Sequence, residues 1–539
     1  MKSISLLRKP DFVTGAVEGS PFRFEENSSE KCPVKYDYIV ENDCAKVVVY
    51  PSGKPVKYLK LRFSGDLSTV ESVFGDQWER SCIGAYLEWR SVMSSRVLPW
   101  YCYLRTGKSL ACYGVKTGAN AFAFWQVDPK GITLFLNLCC ANHGTHLKAP
   151  ICACEIVQLF SNGEESVYVT AQNFCRKMCD KPVLPKTPIF GVNNWYWAYG
   201  CITKESVLKE TEQLLRMTEG CSNKPYMIID DGWEKNRKLV QQGAYIGGPW
   251  LPNKRFKNIQ AFAEKLSAMG VRPGIWFRPL LTRDKLPEEA QLTTASGGKI
   301  MDPTHPFTLE QIGMDVERIR SWGFELIKHD FSTIDFLGHS ILTSEKHDYL
   351  LSADDRLPYD RTQTSATVLK NLYSVIQKAA GNAEIIGCNT VGHLCAGIHS
   401  IQRVGGDTSG RVFEWTKRDG VNSVMRLPQN ETFFNVDPDC AAFTKKVDEE
   451  LNLDYLELCA CTGMTTIASV EPDILSKKGF KRINEIFRLA DQNTMRLHID
   501  GFENSAEPYR FVSADGKQTK EFDWWKKHKG SRVALTWYD

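Results

Sequence analysis

The feature that most constrains the fold is a short apolar run that ends in charged residues, a pattern that occurs twice. The run at 324–327 leads into Lys328 and Asp330, and the run at 227–229 leads into Asp230. Apolar runs of this length are typical of buried parallel strands, and charged groups beside them are costly to bury unless they have a role. Charged clusters at strand ends are typical of the functional rim of a (β/α)8 barrel.

The segment from residue 186 onward alternates between short apolar runs and stretches of helical period, such as 204–218 and 364–380. Eight such runs fit a (β/α)8 barrel. A doubly wound sheet is the alternative, but it would be expected to carry a G-x-G-x-x-G turn that opens a helix, and none is present. The predicted strands are 190–197, 226–229, 274–277, 324–327, 384–387, 401–404, 432–435 and 465–470.

The rest of the chain predicts a multidomain protein. Residues 1–185 contain short β-branched or aromatic runs separated by turn signals, which predict a β-sandwich. A proline-spaced stretch at 181–188 indicates a stiff linker. We therefore expect the barrel at 186–493 and a small C-terminal β segment at 494–539, which includes a strand at 532–538.

Composition disfavours several classes of protein. A chain of 539 residues is too long for one core, and its net charge of +3 is spread out, which predicts neither a nucleic-acid nor a membrane partner. No apolar stretch reaches the roughly 18 residues of a membrane span. The N-terminus lacks the apolar run of a secretory signal, so we expect a cytoplasmic protein whose 18 cysteines are reduced. Few, scattered histidines and the absence of zinc-like cysteine spacing predict no metal and no cofactor.

A barrel would bring the candidate side chains to one rim. They are carboxylates, one lysine, one arginine and several tryptophans, a set that suits a sugar site, because cleavage of a glycosidic bond needs two carboxyl groups. Trp276, with Trp195 or Trp197, suits stacking on a sugar ring. The candidates are Asp230, Asp231, Trp195, Trp197, Trp276, Lys328, Asp330, Cys388, Asn389, Arg403 and Asp407.

The residue types suggest separate roles for the carboxylates. Asp330 suits a nucleophile, because Lys328 lies two residues earlier on the same strand face and a nearby cation keeps a carboxylate ionised. Asp407 follows two glycines, where the backbone bends freely, and suits the acid/base. Asp230 and Asp231 suit hydrogen bonds to sugar hydroxyl groups.

The neighbouring polar residues are assigned supporting roles. Asp437 and Asp439 are predicted to orient Arg403 rather than to touch substrate. Cys388 is a nucleophile by residue type, but no histidine can be placed to activate it, so it is interpreted as pocket wall.

Five motifs occur in a characteristic order and carry a resemblance to a known family. In this order the chain resembles glycoside hydrolase clan D, the retaining α-galactosidases of families 36 and 27. A sandwich ahead of the barrel resembles family 36, and the R-x-x-x-D spacing resembles family 27. The motifs are Asp230-Asp231-Gly232-Trp233, Gly274-Ile275-Trp276-Phe277, Lys328-His329-Asp330, Arg403-Val404-Gly405-Gly406-Asp407 and Asn435-Val436-Asp437-Pro438-Asp439.

The resemblance implies a retaining exo-α-glycosidase that hydrolyses terminal α-galactosides. Its nucleophile would be Asp330, which forms a covalent glycosyl intermediate, and its acid/base would be Asp407. The substrate would be an α-galactoside-containing oligosaccharide or glycoconjugate, and the oligomeric state is open, with a homo-oligomer among the alternatives. The implied sugar contacts are Asp230 and Asp231 to the 4- and 6-hydroxyl groups, Lys328 and Arg403 to ring hydroxyls, and Trp276 by stacking.

Two departures from the family pattern leave alternatives open. Thr408 follows Asp407, where family 36 has a second acid, and the strand-five end at Cys388 and Asn389 lacks the acid common in family 27. A small Gly392 in that loop would admit an N-acetyl group, as in an α-N-acetylgalactosaminidase. A galactosyl transglycosylase would share every catalytic residue, and a non-catalytic carbohydrate-binding protein would keep the pocket without turnover.

Overall fold

The structure of the protein is a computed structural model in which three units follow one another along the chain. None of its described helices combines the length and the apolar character that a membrane crossing requires. The described residues are 3–19, 32–80, 87–91, 94–235, 247–292, 299–338, 356–504 and 507–524.

The N-terminal unit is the predicted β-sandwich. Its strands form an antiparallel sheet of five, in the order β1-β4-β10-β9-β6, and another of six, in the order β2-β3-β11-β8-β7-β5. Buried and half-buried residues alternate along β3, as expected when one face of a strand lies on a core. The strands are β1 (Phe12–Val17), β2 (Tyr36–Glu41), β3 (Cys44–Val49), β4 (Val56–Ser64), β5 (Ser72–Gly75), β6 (Ser94–Pro99), β7 (Tyr101–Thr106), β8 (Ser109–Val115), β9 (Phe122–Asp128), β10 (Gly131–Asn137) and β11 (Ile151–Ser161).

The remaining strands form the barrel and two small sheets. Nine of them make one parallel sheet, in the order β21-β20-β19-β18-β14-β13-β12-β23-β22. The strands are β12 (Phe190–Asn193), β13 (Tyr226–Ile229), β14 (Arg272–Phe277), β15 (Leu281–Thr282), β16 (Gln291–Leu292), β17 (Lys299–Met301), β18 (Leu326–His329), β19 (Glu384–Gly387), β20 (Ile401–Arg403), β21 (Asn435–Asp437), β22 (Ala441–Phe443), β23 (Thr466–Val470), β24 (His498–Ile499), β25 (Arg510–Val512) and β26 (Thr519–Glu521).

Helices alternate with the barrel strands. Most begin at a side-chain cap; for example, Thr203 accepts a hydrogen bond from the Ser206 N–H at the start of α3. The helices are α1 (Val167–Met178), α2 (Trp195–Ala198), α3 (Lys204–Met217), α4 (Ile259–Met269), α5 (Pro306–Ser321), α6 (Ser332–Leu337), α7 (Ser365–Ala380), α8 (Gly392–Cys395), α9 (Phe413–Met425), α10 (Glu449–Thr462) and α11 (Lys477–Gln492), with short 3-10 turns at Lys254–Phe256, Glu288–Ala290 and Leu427–Gln429.

The seventh barrel strand is broken in two. Its first half, β21, pairs with β20, and its second half, β22, pairs with β23. Asp439, between the halves, has a φ of 71°, in the left-handed region that interrupts a strand. The barrel closes across this break, because the Thr465 N–H donates to the Val436 carbonyl at 2.9 Å.

Most strand predictions are confirmed, and the bounds of four are corrected; the third strand begins at Arg272, two residues earlier than predicted. Strands 226–229 and 384–387 match the structure, whereas the first strand ends at Asn193 and its predicted continuation forms α2. The fourth strand begins two residues later than predicted, and the seventh three residues later. The C-terminal β segment is present as β24 to β26, while the strand predicted at 532–538 lies outside the described residues.

A buried polar cluster fastens the sandwich to the barrel. Asp76, directly after β5, accepts from Arg426 Nε at 2.6 Å and from Gln429 Nε2 at 2.9 Å. All three side chains are buried. A buried pair of this kind fixes geometry, because separating its members would leave an unpaired charge.

Replacement of Asp76 by Ala is expected to lower the free energy of unfolding by about 3 kcal/mol, because Arg426 stays buried without its counter-charge. Urea unfolding measures the change. The matched control is Asp500→Ala, which removes a half-exposed ion pair with Arg510 and should cost less than about 1 kcal/mol. Equal losses in the two variants would contradict the interpretation of Asp76 as a buried fastener.

Candidate active site

The polar residues at the carboxyl ends of the barrel strands form one buried network. Below them, apolar side chains from five strands fill the barrel interior, which is the layered packing expected of this fold. Leu326 belongs to that interior, and Lys328, two residues on, therefore points to the same side. The charged side chains thus lie directly above an apolar layer of the barrel interior. The residues of that layer are Ile228, Leu326, Ile386, Ile401 and Ile467.

Asp330 is held by neutral donors. Its Oδ2 accepts from Trp276 Nε1 at 3.1 Å, and its Oδ1 accepts from the Phe331 N–H at 2.8 Å. Phe331 has a φ of 63°, an uncommon conformation for a bulky residue that marks local strain. The Arg278 guanidinium lies 4.0 Å from the centre of the Phe331 ring. These contacts orient the Asp330 carboxyl group, which is 8% exposed.

The ion pair expected between Lys328 and Asp330 is replaced by another. Among the described residues, Lys328 Nζ donates to Asp230 Oδ2 at 2.8 Å. Burial disfavours the charge on Lys328, but the surrounding acidic groups, of which Asp230 contributes most, together raise the pKa of Lys328 well above its ordinary value. Lys328 is therefore paired with a different carboxylate from the one that the sequence suggested.

Asp230 accepts hydrogen bonds on both of its carboxylate oxygens. Asn193 Nδ2 donates to its Oδ2 at 2.7 Å, and the Asp231 N–H donates to its Oδ1 at 2.9 Å. The Asp230 N–H donates in turn to Asn194 Oδ1 at 3.0 Å. Both aspartates are buried. The first two strands therefore present a rigid pair of carboxylates to the rim.

Arg403 is a buried cation at the centre of the network, with 1% exposure. Its Nη2 donates to Asp439 Oδ2 at 2.6 Å and to Asp407 Oδ1 at 3.0 Å. Its Nη1 lies 3.4 Å from Cys388 Sγ. The Asp437 carboxylate accepts the Asp439 N–H at 3.0 Å, so it orients Asp439 and only indirectly Arg403.

Asp407 has a second cationic partner that sequence reasoning missed. Arg80 Nη1, from the sandwich, donates to Asp407 Oδ1 at 2.7 Å. The neighbouring Glu79 is also buried at the rim, where its Oε1 accepts from Asn389 Nδ2 at 2.8 Å. The only signal in the sequence was a cluster of charged residues around Trp78.

The remaining candidates separate into two groups. Trp195 packs with Tyr199 against the barrel interior, whereas Trp197 Nε1 donates to Glu210 of α3 at 3.1 Å, away from the interior. Cys388 is buried and lies beside Arg403, and burial raises the pKa of its thiol well above the ordinary value, as expected for pocket wall. The structure therefore does not bring Trp197 to the other candidates.

The reactive groups of this site are carboxyl groups. Two aspartates lie at the ends of different strands, one held by N–H donors and one by guanidinium groups. Within the ranges that the structure describes, no three His, Cys, Asp or Glu side chains are grouped as metal ligands. Such a pair can supply an attacking carboxylate and a proton-transferring carboxyl group.

Comparison with solved structures finds α-galactosidases of the same architecture. One from Thermus thermophilus, in complex with p-nitrophenyl α-D-galactopyranoside, matches with a TM-score of 0.60 and 15% identity over 90% of this chain and 99% of its own. The GH36 enzyme AgaA from Geobacillus stearothermophilus matches with 0.58 and 13% identity, over 94% and 77%. One from Lactobacillus brevis matches with 0.57 and 11% identity, over 90% and 69%.

These similarities show the fold. No protein-family model matches the chain, and no curated protein matches it in sequence. The predicted order of sandwich, barrel and small β segment is confirmed, and it is the order found in the GH36 structures. Because one fold supports many functions, the chemistry has to be argued from the site.

Replacement of Glu79 by Gln tests the electrostatics of the rim. Burial, despite Arg80, raises the pKa of Glu79 to about 7 from 4.5. The folded protein thus holds this proton more tightly than the unfolded chain, and wild-type stability falls as pH rises from about 4.5 through 7. The Gln variant cannot ionise, so its stability relative to wild type should rise by up to about 3 kcal/mol over that range.

Urea unfolding at pH 5 and pH 8 measures this difference. The matched control is Glu164→Gln, at an exposed position of the sandwich, which should change the free energy of unfolding by less than about 1 kcal/mol at either pH. A Glu79 variant whose difference from wild type is the same at both pH values would refute the buried, proton-holding Glu79.

Proposed function

We propose that the protein is a retaining exo-α-glycosidase that hydrolyses terminal α-galactosides, with Asp330 as nucleophile and Asp407 as acid/base. The observation that carries this proposal is the contrast between the two rim aspartates, one anchored by Trp276 and one by arginines. A retaining glycosidase needs two carboxyl groups with different tasks. The different surroundings of Asp330 and Asp407 match that need.

The substrate class is inferred from the structures of the same fold. Two Thermus structures contain p-nitrophenyl α-D-galactopyranoside and stachyose, and a variant of Geobacillus AgaA contains raffinose. We therefore infer an α-galactoside-containing oligosaccharide or glycoconjugate as substrate. A cytoplasmic location is also proposed, in keeping with the free thiols of the cysteines that the structure describes.

The proposed reaction has two displacements. In the first, an Asp330 oxygen attacks the anomeric carbon while Asp407 gives its proton to the departing glycosidic oxygen, leaving a galactosyl ester on Asp330. In the second, the ionised Asp407 takes a proton from water, which attacks the anomeric carbon and releases Asp330. Each displacement inverts the anomeric centre, so the product retains the α configuration.

Hydroxyl recognition is assigned to polar groups at the ends of the barrel strands. Asp230, whose carboxylate pairs with Lys328, is proposed to accept a hydrogen bond from a sugar hydroxyl group. Asp231 and Arg403 are proposed as further contacts. Trp276 closes this side of the pocket, where its ring packs edge-on against Trp250. Its indole N–H is used by Asp330, so its contribution to the sugar would come from the ring face.

The N-acetylgalactosamine alternative loses its supporting argument. A Cβ at Gly392 would lie 3.4 Å from Gln402 Cγ and 3.4 Å from Phe434 Cζ. A side chain at this position would contact Gln402 and Phe434, so the small size of Gly392 is no specific argument for an N-acetyl substituent. We accordingly prefer galactose at this site, and the N-acetyl substrate serves as a comparison in the assay.

Replacement of Asp330 by Ala is expected to lower kcat for p-nitrophenyl α-galactoside by about 10⁴-fold or more, because the nucleophile is lost. Added azide should restore turnover by attacking the anomeric carbon directly, and a single displacement gives β-galactosyl azide. Nuclear magnetic resonance identifies the anomer. Asp500→Ala, in the C-terminal sheet, should keep wild-type activity. Wild-type turnover in Asp330→Ala would rule out the nucleophile assignment.

Replacement of Asp407 by Ala should give the opposite anomer. Loss of the acid/base slows cleavage of substrates with poor leaving groups by about 10²- to 10⁴-fold, but the galactosyl ester still forms from the nitrophenyl substrate. Azide then displaces Asp330 and yields α-galactosyl azide. The β anomer from this variant would contradict the assigned roles.

The remaining alternatives are separated by product analysis. With an added acceptor sugar, a transglycosylase would form a new α-galactoside in preference to free galactose. Folded wild-type protein that binds galactose but turns over no galactoside would favour the non-catalytic carbohydrate-binding protein.

A further inference from the structure

The end of β5 reaches from the sandwich to the barrel rim. Asp76 is fastened to Arg426 of the barrel, and Trp78 packs at 5.4 Å, edge to face, against Trp100 of the sandwich. The segment 76–80 is therefore tied on both sides. Its last residue, Arg80, lies beside Asp407 of the barrel, which is distant from it in the sequence.

The contacts of Asp407 fall on one of its two oxygens. Oδ1 accepts from Arg80 at 2.7 Å and from Arg403 at 3.0 Å. In the part of the chain that the structure describes, Oδ2 has no hydrogen-bond partner, and the side chain is 29% exposed. One oxygen is thus fixed by the protein and the other is available at the accessible side of the carboxyl group.

Of the two arginines that contact Asp407, Arg403 is shared with other acceptors. The Nη2 group of Arg403 that reaches Asp407 also donates to Asp439 and to the Gly406 carbonyl. Its bond to Asp407 is the longest of the three. The Arg80 bond is shorter and comes from the opposite domain, so it adds a second, independent direction of support.

We propose that Arg80 is a positioning residue for Asp407, which fixes Oδ1 of that carboxyl group and leaves Oδ2 to pass the proton to the leaving group and then to accept one from water. This inference rests on the proposed acid/base role of Asp407. It makes the sandwich a part of the active site, because the barrel alone lacks the shorter of the two bonds.

The charge on Arg80 also affects the proton of Asp407. Burial would raise the pKa of Asp407, but Arg80 and then Arg403 outweigh it and hold that pKa below its ordinary value. The charged and titratable groups around Asp407 are Arg80 from the sandwich, Lys328 and Asp330 from the end of β18, Cys388 after β19, Arg403 from β20, Asp419 from α9, Asp439 after β21, and Tyr196 and Tyr199 from α2 and its C-terminus.

The pH dependence follows from this arrangement. The first displacement needs Asp407 protonated, so kcat/KM should decline on the alkaline side as Asp407 ionises in the free enzyme. Removal of the Arg80 charge disfavours the carboxylate and raises the pKa of Asp407. The alkaline limb should therefore move to higher pH, while the loss of alignment lowers the rate at the optimum.

The experiment compares Arg80→Met with Arg80→Lys, using p-nitrophenyl and methyl α-galactosides from about pH 3 to pH 9, because Asp407 of the wild type is expected to ionise below its ordinary pKa of 3.8. In Arg80→Met the alkaline limb should rise by about one pH unit or more, and kcat/KM should fall more for the methyl substrate, whose leaving group needs the proton. Arg80→Lys keeps the charge and should keep the limb. The matched control is Arg62→Met, which removes a buried arginine of the sandwich from its ion pair with the half-exposed Asp128 and should leave the limb in place.

An unmoved limb with equal losses on both substrates would overturn the proposal and leave Arg80 a structural residue. A second readout is independent of turnover. The fall in Tm caused by Arg80→Met at pH 7 should disappear when Asp407 is already Asn, and an undiminished fall would also overturn the proposal. If wild type cleaves neither galactoside, the proposed function fails, and the Tm comparison still decides whether Arg80 holds the ionised Asp407.

Discussion

A buried arginine at the mouth of the barrel imposes the arrangement of the groups around it. A guanidinium that is 1% exposed is tolerable only if carboxylates and acceptors surround it. Arg403 receives Asp439 from the break in the seventh strand and Asp407 from the loop after β20. The break in the seventh strand contributes to this compensation. The left-handed conformation of Asp439 interrupts the strand pairing and brings the Asp439 carboxylate to Arg403.

The need to compensate buried charge also explains why three of the rim aspartates have different partners. Asp230 has a lysine, Asp407 has two arginines and Asp330 has N–H donors. Carboxylates in close proximity would repel one another unless each had its own compensation. The cations pair with Asp230 and Asp407, whereas N–H donors orient Asp330, which suits the role of nucleophile that we propose for it.

Much of the fold could be predicted from the sequence, since the apolar runs have the length and spacing of barrel strands. The candidate rim was also largely identified, because a polar residue directly after a strand stays at its end even when the predicted boundary shifts by two or three residues. The pairing within the rim could not be predicted. Lys328 shares a face with Asp330 by the period of a strand, yet its partner is Asp230, because the pairing depends on the neighbouring strand. The prediction for Trp197 was wrong for a local reason, because a helical turn takes the place of the predicted strand end and directs the indole ring to α3.

The contribution of the sandwich was outside the reach of sequence patterns, because Arg80 and Asp407 are 327 residues apart and belong to different domains. A positioning bond across a domain boundary is useful only if the boundary is rigid. The fastening of Asp76 to Arg426 supplies that rigidity four residues before Arg80, since a hinge motion would have to separate a buried ion pair. The segment 76–80 therefore joins the domain interface at Asp76 to the contact with Asp407, the proposed acid/base, and a movement of the sandwich relative to the barrel would change the distance between Arg80 and Asp407.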